Sequence, residues 1–188
     1  VKHLLLVFVL LMPPAIPAGA QVARDSSNQD RADFLYFVQL QRRDLVEAAL
    51  AMPADKYAFT PTEGAFAGVR SFGRQLKHLA ATNYILASAA LGVEPPADAG
   101  DEMGPDSVVT KDQIVRYLEG SFDLMERAIH AIGDARLPVR SSAISPFQGH
   151  TPTRIALLAE SMIHAFDHYG QIVVYLRMNG VIPPASRP

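Results

Sequence analysis

Apolar residues recur at intervals of three and four in four long stretches of the chain, and most of the intervals between them are rich in proline or glycine. That period is the signature of one buried face on an α-helix of about 3.6 residues per turn. A first helix is predicted from about Gln29 to Ala51, with Phe34, Phe37, Val38, Leu45 and Ala49 turned to the core. It should stop at Met52-Pro53, because a proline disfavours helix at the residue before it. A second helix is expected from about Val69 to Leu91, with Phe72, Leu76, Leu79, Asn83, Leu86 and Ala90 on one stripe and Gly92 in the stop position. Its second half, LAATNYILASAALG, carries no charge, which predicts burial around most of the helix's girth.

Thr110 opens TKDQ, a capping-box pattern that places Gln113 at the third position of a third helix. That helix should reach about Ile132 and bury Ile114, Leu118, Phe122, Met125 and Ile129. Thr151 is expected to cap a fourth helix whose first position is Pro152, where a missing amide proton costs little. Met178 should end it, with Asn179-Gly180 as the stop and Pro183-Pro184 preventing resumption. No internal repeat, sustained heptad or strand-like alternation competes with this reading. The expected fold is an all-α four-helix bundle.

The start of the chain does not fit that bundle. VKHLLLVFVLLMPPAIPAGAQVA has a lysine, an apolar run from Leu4 to Met12, prolines, and small residues at Ala18 and Ala20. This is the layout of a secretory signal peptide cleaved before Gln21, and the run is well short of the ~20 residues a membrane span needs. Residues 1–20 are therefore expected to be a leader and 21–188 one exported domain, periplasmic or secreted, with no span left after cleavage. An uncleaved N-terminal anchor is the alternative.

Composition narrows the chemistry. The chain has no cysteine, so disulfides and thiolates are excluded and any metal must be held by nitrogen or oxygen. A net charge of −2 without a basic run gives no electrostatic footprint for nucleic acid.

The remaining chemistry lies in histidines. HAFDH puts His164 and His168 four residues apart, on successive turns of one face of the fourth helix. Leu157, Glu160, Gln171, Ile172 and Tyr175 share that face, whose apolar members point it inward. Buried imidazoles need hydrogen bonds or a metal to satisfy their nitrogens. The pair is not the metalloprotease HExxH motif, because Ala165 stands where the glutamate would be. His78 on the second helix is the leading third ligand, with Gln75 and Thr82 about one turn either side, although it falls on the flank of its stripe. The competing reading is a pair of histidines satisfied by ordinary core or surface contacts. His130 and His150 read as solvated, with His150 in reserve as a ligand. Glu160 reads as an edge carboxylate that is also a candidate oxygen ligand or proton acceptor, and Asp167 as a helix-face salt-bridge partner or an orienting acceptor.

HAFDHYGQIVVYLRMNGVIPPAS, with AMPADKYAFTPTEGAF and FGRQLKHLAATNYILASAALG upstream, closely resembles the DinB-like proteins, a four-helix-bundle group that includes the YfiT-type metalloenzymes. The resemblance extends over nearly the whole chain after the leader. It implies a divalent metal, zinc or nickel, held by His78, His164 and His168, with a homodimer formed through helix faces. Family members often read HETHHRGQ where this chain has HAFDHYGQ, so Ala165, Asp167 and Tyr169 depart from the pattern while every ligand position is kept. The implied function is a metal-dependent enzyme acting on a small molecule. Relatives resemble thiol-S-transferases or a maleylpyruvate isomerase, and fold alone does not choose a reaction or a catalytic residue. A non-catalytic ligand-binding module, or a structural bundle without the ion, is the other class of function.

Overall fold

The computed structural model describes residues 18–188, apart from 97, 98, 100, 101, 132, 134–136, 140–146 and 148, with side chains described from residue 28 onward. Four helices make up the fold: α1 (Ala18–Ala51), α2 (Phe72–Leu91), α3 (Lys111–Ala131) and α4 (Arg154–Met178), with 3₁₀ turns at Ala54–Lys56 and Pro184–Ser186. Among the described residues, strand-like pairing is confined to an isolated antiparallel bridge between Pro138 and Thr153. The expected all-α bundle is the observed fold.

α2 packs along α3 and α4, and α1 packs along the same two helices, so α1 and α2 occupy opposite corners of the bundle. The shared core holds Val38, Leu45, Ala49 and Met52 of α1, Phe72, Leu76, Leu79 and Leu86 of α2, Ile114, Leu118, Phe122, Met125 and Ile129 of α3, and Leu157, Leu158, Ile172 and Leu176 of α4. α2 has no exposed residue from Gln75 to Leu91, as its lack of charge predicted. Three buried polar side chains knit α2, α3 and α4: Ser161 donates to Asn83 Oδ1 at 2.5 Å, Asn83 Nδ2 donates to Ser121 Oγ at 3.3 Å, and Ser121 donates to the Leu118 carbonyl at 2.7 Å. Asn83 thus sits on the apolar stripe with its amide satisfied.

Helix ends follow local chemistry. Thr110 Oγ1 accepts from the Gln113 amide at 3.3 Å while Gln113 Oε1 accepts from the Thr110 amide at 2.9 Å, the reciprocal box expected of TKDQ. Gly92 closes α2 in the left-handed region at φ 74°, and the Val93 amide returns to the Ser88 carbonyl at 3.0 Å. α1 stops at Ala51 ahead of Pro53, and Lys111 of α3 donates to the terminal carbonyls of Leu50 and Met52 at 2.7 and 2.8 Å. Arg42 joins α1 to α3 through Asp123 at 2.7 Å and Glu126 at 3.0 Å.

Several boundaries differ from expectation. α1 begins at Ala18 rather than near Gln29, since no proline interrupts residues 18–52 and alanine, glutamine and arginine are good helix formers. The expected leader otherwise lies outside the described residues, and its expected cleavage point before Gln21 falls inside α1. α2 begins at Phe72, not Val69: Ser71 is the cap, and the connector holds the first turn, with the Phe72 amide on the Phe59 carbonyl and the Gly73 amide on the Tyr57 carbonyl, both at 2.9 Å. Ile132, the expected end of the third helix, lies outside the described residues. The cap of α4 is Thr153 rather than Thr151, because Pro152–Arg154 is tied to Leu137–Val139 by backbone hydrogen bonds of 2.7 and 3.0 Å that hold the chain extended. Phe37 is 46 % exposed against the expectation of burial. Gln41 occupies the inward position instead and donates to the Met162 carbonyl of α4 at 2.6 Å, while Phe37 packs edge-on to Tyr36 outside the core. No helix of the described residues is long and apolar enough to cross a membrane.

The two positions on α1 give a direct contrast. Leu45→Ala should cost about 2–5 kcal/mol of unfolding free energy, because it opens a cavity in packed core. Phe37→Ala should stay within roughly 1 kcal/mol. Urea unfolding of both variants checks this; equal losses would refute the assignment of α1's inward face.

Candidate metal centre

Helices α2 and α4 run antiparallel, and the pairs along their seam occur in opposite order: Asn83 with Ser161, His78 with His164, Gln75 with His168, and Arg70 with Tyr175. The flank of the α2 stripe is therefore an inside surface, and His78 projects from it into the seam at 5 % exposure. His168 is equally enclosed and His164 is half-buried. One nitrogen from each of the three rings lies within 4.8 Å of the others, and His78 Nε2 is 3.0 Å from His164 Nε2. The rings stand edge to face, with centroids 4.5–5.0 Å apart.

Their other nitrogens explain why they point inward. His78 Nδ1 lies 2.7 Å from the backbone carbonyl of Glu102, which can only accept, so Nδ1 carries the proton and Nε2 keeps its lone pair. Glu102 takes the left-handed conformation at φ 71°, alone among described non-glycine residues, and this aims its carbonyl at the ring. His168 Nδ1 donates to Gln75 Oε1 at 3.2 Å, which again leaves Nε2 free. His164 Nδ1 is enclosed without a partner. Two of the three imidazoles are thus fixed in the tautomer that presents Nε2 to the cluster, as metal-binding histidines require.

All three rings resist protonation. Burial is the largest cause throughout, lowering His78, taking His168 to about 4 and His164 to about 3. Neighbouring histidines lower His164 and His168 further, and the Arg70 charge acts against a proton on all three, while the Glu102 carbonyl partly offsets the shift at His78. The three rings are neutral near pH 7, the state in which imidazole donates a lone pair to a cation. An all-imidazole donor set, already oriented and uncharged, suits a first-row divalent ion.

A match to the DinB superfamily spans residues 38–172, which includes all three histidines. The chain belongs to that superfamily. A crystal structure of a DinB-like protein from Bacillus subtilis is similar in fold, with a TM-score of 0.61 at 18 % identity over 83 % of this chain and 99 % of that one. No curated protein matches the chain.

Other expected residues of this DinB-superfamily chain lie elsewhere. Gln171 is exposed and donates to exposed Asp167 at 2.9 Å, so the inward face of α4 carries Ile172 and Tyr175 but not Gln171, and among the described residues Asp167 forms neither of its expected contacts. Glu160 is half-buried and outside the three-histidine group. His130 and His150 are exposed. A cleft of ≈ 490 Å³ lined by Glu47, Leu50, Ala51, Pro184 and Arg187 shares no residue with the histidine seam. Sequence reasoning missed the Glu102 carbonyl and Arg70. A main-chain acceptor carries no side-chain signal, and Arg70, expected in the first turn of the second helix, instead lies just before the Ser71 cap of α2.

The depressed pKa values make a stability prediction for the metal-free protein. The unfolded chain's histidines take up protons near pH 6.5, while folded His168 and His164 do so only near 4 and 3 and His78 is also lowered, so the unfolded state binds more protons in between. Stability is complete above roughly pH 7 and falls as pH drops from about 6.5 toward 4. Thermal midpoints across that range should show the decline, with a shallower slope in His164→Ala. Identical slopes in the two proteins would contradict the buried, neutral assignment.

Proposed function

We propose that this protein is an exported metal-dependent enzyme of the DinB superfamily, with a divalent ion held by His78, His164 and His168 and a small molecule as substrate. The observation that carries the reading is the convergence of three neutral imidazoles from two helices, with the Nδ1 protons of two committed to outer oxygen acceptors. Lone pairs turned toward one another inside a protein repel unless a cation takes them up. Three protein ligands leave coordination room, unlike a closed structural site. When bound, zinc or nickel there supplies Lewis acidity that polarises a carbonyl or acidifies a water or thiol, chemistry suited to hydrolysis or thiol transfer.

The chain's own residues supply orientation. Glu102 and Gln75 hold two rings in one tautomer, and the Asn83–Ser161 hydrogen bond fixes the register of α2 against α4 just beyond the cluster. The apolar leader of residues 1–20 supports export. Exposed Phe166 and Ile163 on α4, with Tyr36 and Phe37 on α1, are consistent with the homodimer that the family resemblance implies.

A structural bundle is favoured by one observation, the 3.0 Å contact between His78 Nε2 and His164 Nε2, which a shared proton satisfies without an ion. Elemental analysis of protein exported by its own host separates the readings. The enzyme reading predicts about one first-row metal per chain in the wild type, loss of most of it in His78→Ala, His164→Ala and His168→Ala, and a lower thermal midpoint after chelation. Equal, substoichiometric metal in the wild type and all three variants would establish the structural reading.

A further inference from the structure

Arg70 places a cation at the histidine seam, without a counter-ion among the described residues. Its backbone carbonyl accepts the Tyr175 hydroxyl at 3.2 Å, and Tyr175 follows His168 by about two turns on the same face of α4, so Arg70 lies across the end of that seam. The Phe59 ring packs edge-on against Tyr175 at 5.7 Å and braces this end. The Arg70 side chain is half-buried and its Nε is enclosed without a hydrogen-bond partner. Arg70 takes part in none of the ion pairs among the described residues. The backbone amides at the start of α2 offer a ligand nothing, because those of Phe72, Gly73 and Arg74 are already bound to Phe59, Tyr57 and Ser71.

A partly desolvated guanidinium with unmet donors costs free energy unless an anion completes it. Among the described residues, Arg70 is also the one cationic side chain whose charge reaches all three rings, which suits a singly charged group. The planar fork of guanidinium matches the two oxygens of a carboxylate. We infer that Arg70 is the anion-recognition residue of the site and that the substrate is a small molecule bearing a carboxylate, gripped by the exposed end of the guanidinium while its reacting part lies at the histidines. This inference rests on the reading of the histidine cluster as the reaction centre.

The test is a ligand-observed NMR titration of the full chain with propionate and with propionamide, its neutral counterpart. Wild-type protein should bind propionate about tenfold more tightly or better, the worth of a charge-assisted hydrogen bond. Arg70→Gln should abolish that preference with metal content unchanged and thermal midpoint not lowered, and Arg70→Lys, which keeps charge without the fork, should retain only part of it. Equal binding of the two probes by wild-type protein, or an undiminished preference in Arg70→Gln, would overturn the inference. Metal content of the same samples reports separately on the reaction-centre reading: metal-poor wild-type protein that still prefers propionate through Arg70 supports the anion site while removing the metal, and metal-replete protein without the preference does the reverse.

Discussion

Desolvation of three imidazoles between two antiparallel helices is the constraint around which this bundle is arranged. Removing their nitrogens from water raises the cost of protonation, so the rings stay neutral, and neutral nitrogens must find partners in the protein or in a cation. The chain supplies acceptors for two outer nitrogens, a backbone carbonyl at Glu102 and a side-chain oxygen at Gln75. The inner nitrogens face each other. A helix packed on a helix places such groups to within a turn, and the hydrogen bonds to Glu102 and Gln75 refine that to a tautomer.

The rest of the fold keeps the seam in register. α2 is the most enclosed helix, flanked by α3 and α4, and so cannot rotate His78 away without moving the core residues on its other side. The Asn83–Ser161–Ser121 contacts fix its height against both neighbours on one side of the cluster, and the Tyr175 hydroxyl on the Arg70 carbonyl does so on the other. Polar contacts in a core specify register more sharply than apolar packing, since a slip of one turn leaves several groups unsatisfied. Membership of the DinB superfamily accords with this architecture, and its three histidines lie close enough together to hold a metal ion.

Helical period was enough to read the four helices, their buried stripes on α2 and α3, and the TKDQ cap, because each is a local property of the chain. The α4 start was misread as Thr151-Pro152 because a nonlocal pairing with Leu137–Val139 holds those residues extended. Phe37 was misplaced for a similar reason: hydrophobicity alone ranks it above Gln41, yet Gln41 has a carbonyl to bind on α4 and Phe37 does not need one. At the site, the i, i+4 spacing of His164 and His168 was plain, while the reach of His78 was not. A helical wheel locates the flank of a stripe but not the neighbour that covers it, and here α4 covers it. The resemblance to DinB-like proteins supplied what the wheel could not. Neither showed Glu102, whose part is a backbone conformation, or Arg70, which the expected start at Val69 put inside a helix that begins only at Phe72.

Anomalous diffraction from crystals of metal-loaded protein, recorded at the zinc and nickel absorption edges, shows where the ion sits. One strong peak is expected in the α2–α4 seam, bonded at about 2.0–2.1 Å by one nitrogen from each of His78, His164 and His168. A peak held by other side chains, or a loaded crystal with no anomalous density between those three rings, would contradict it.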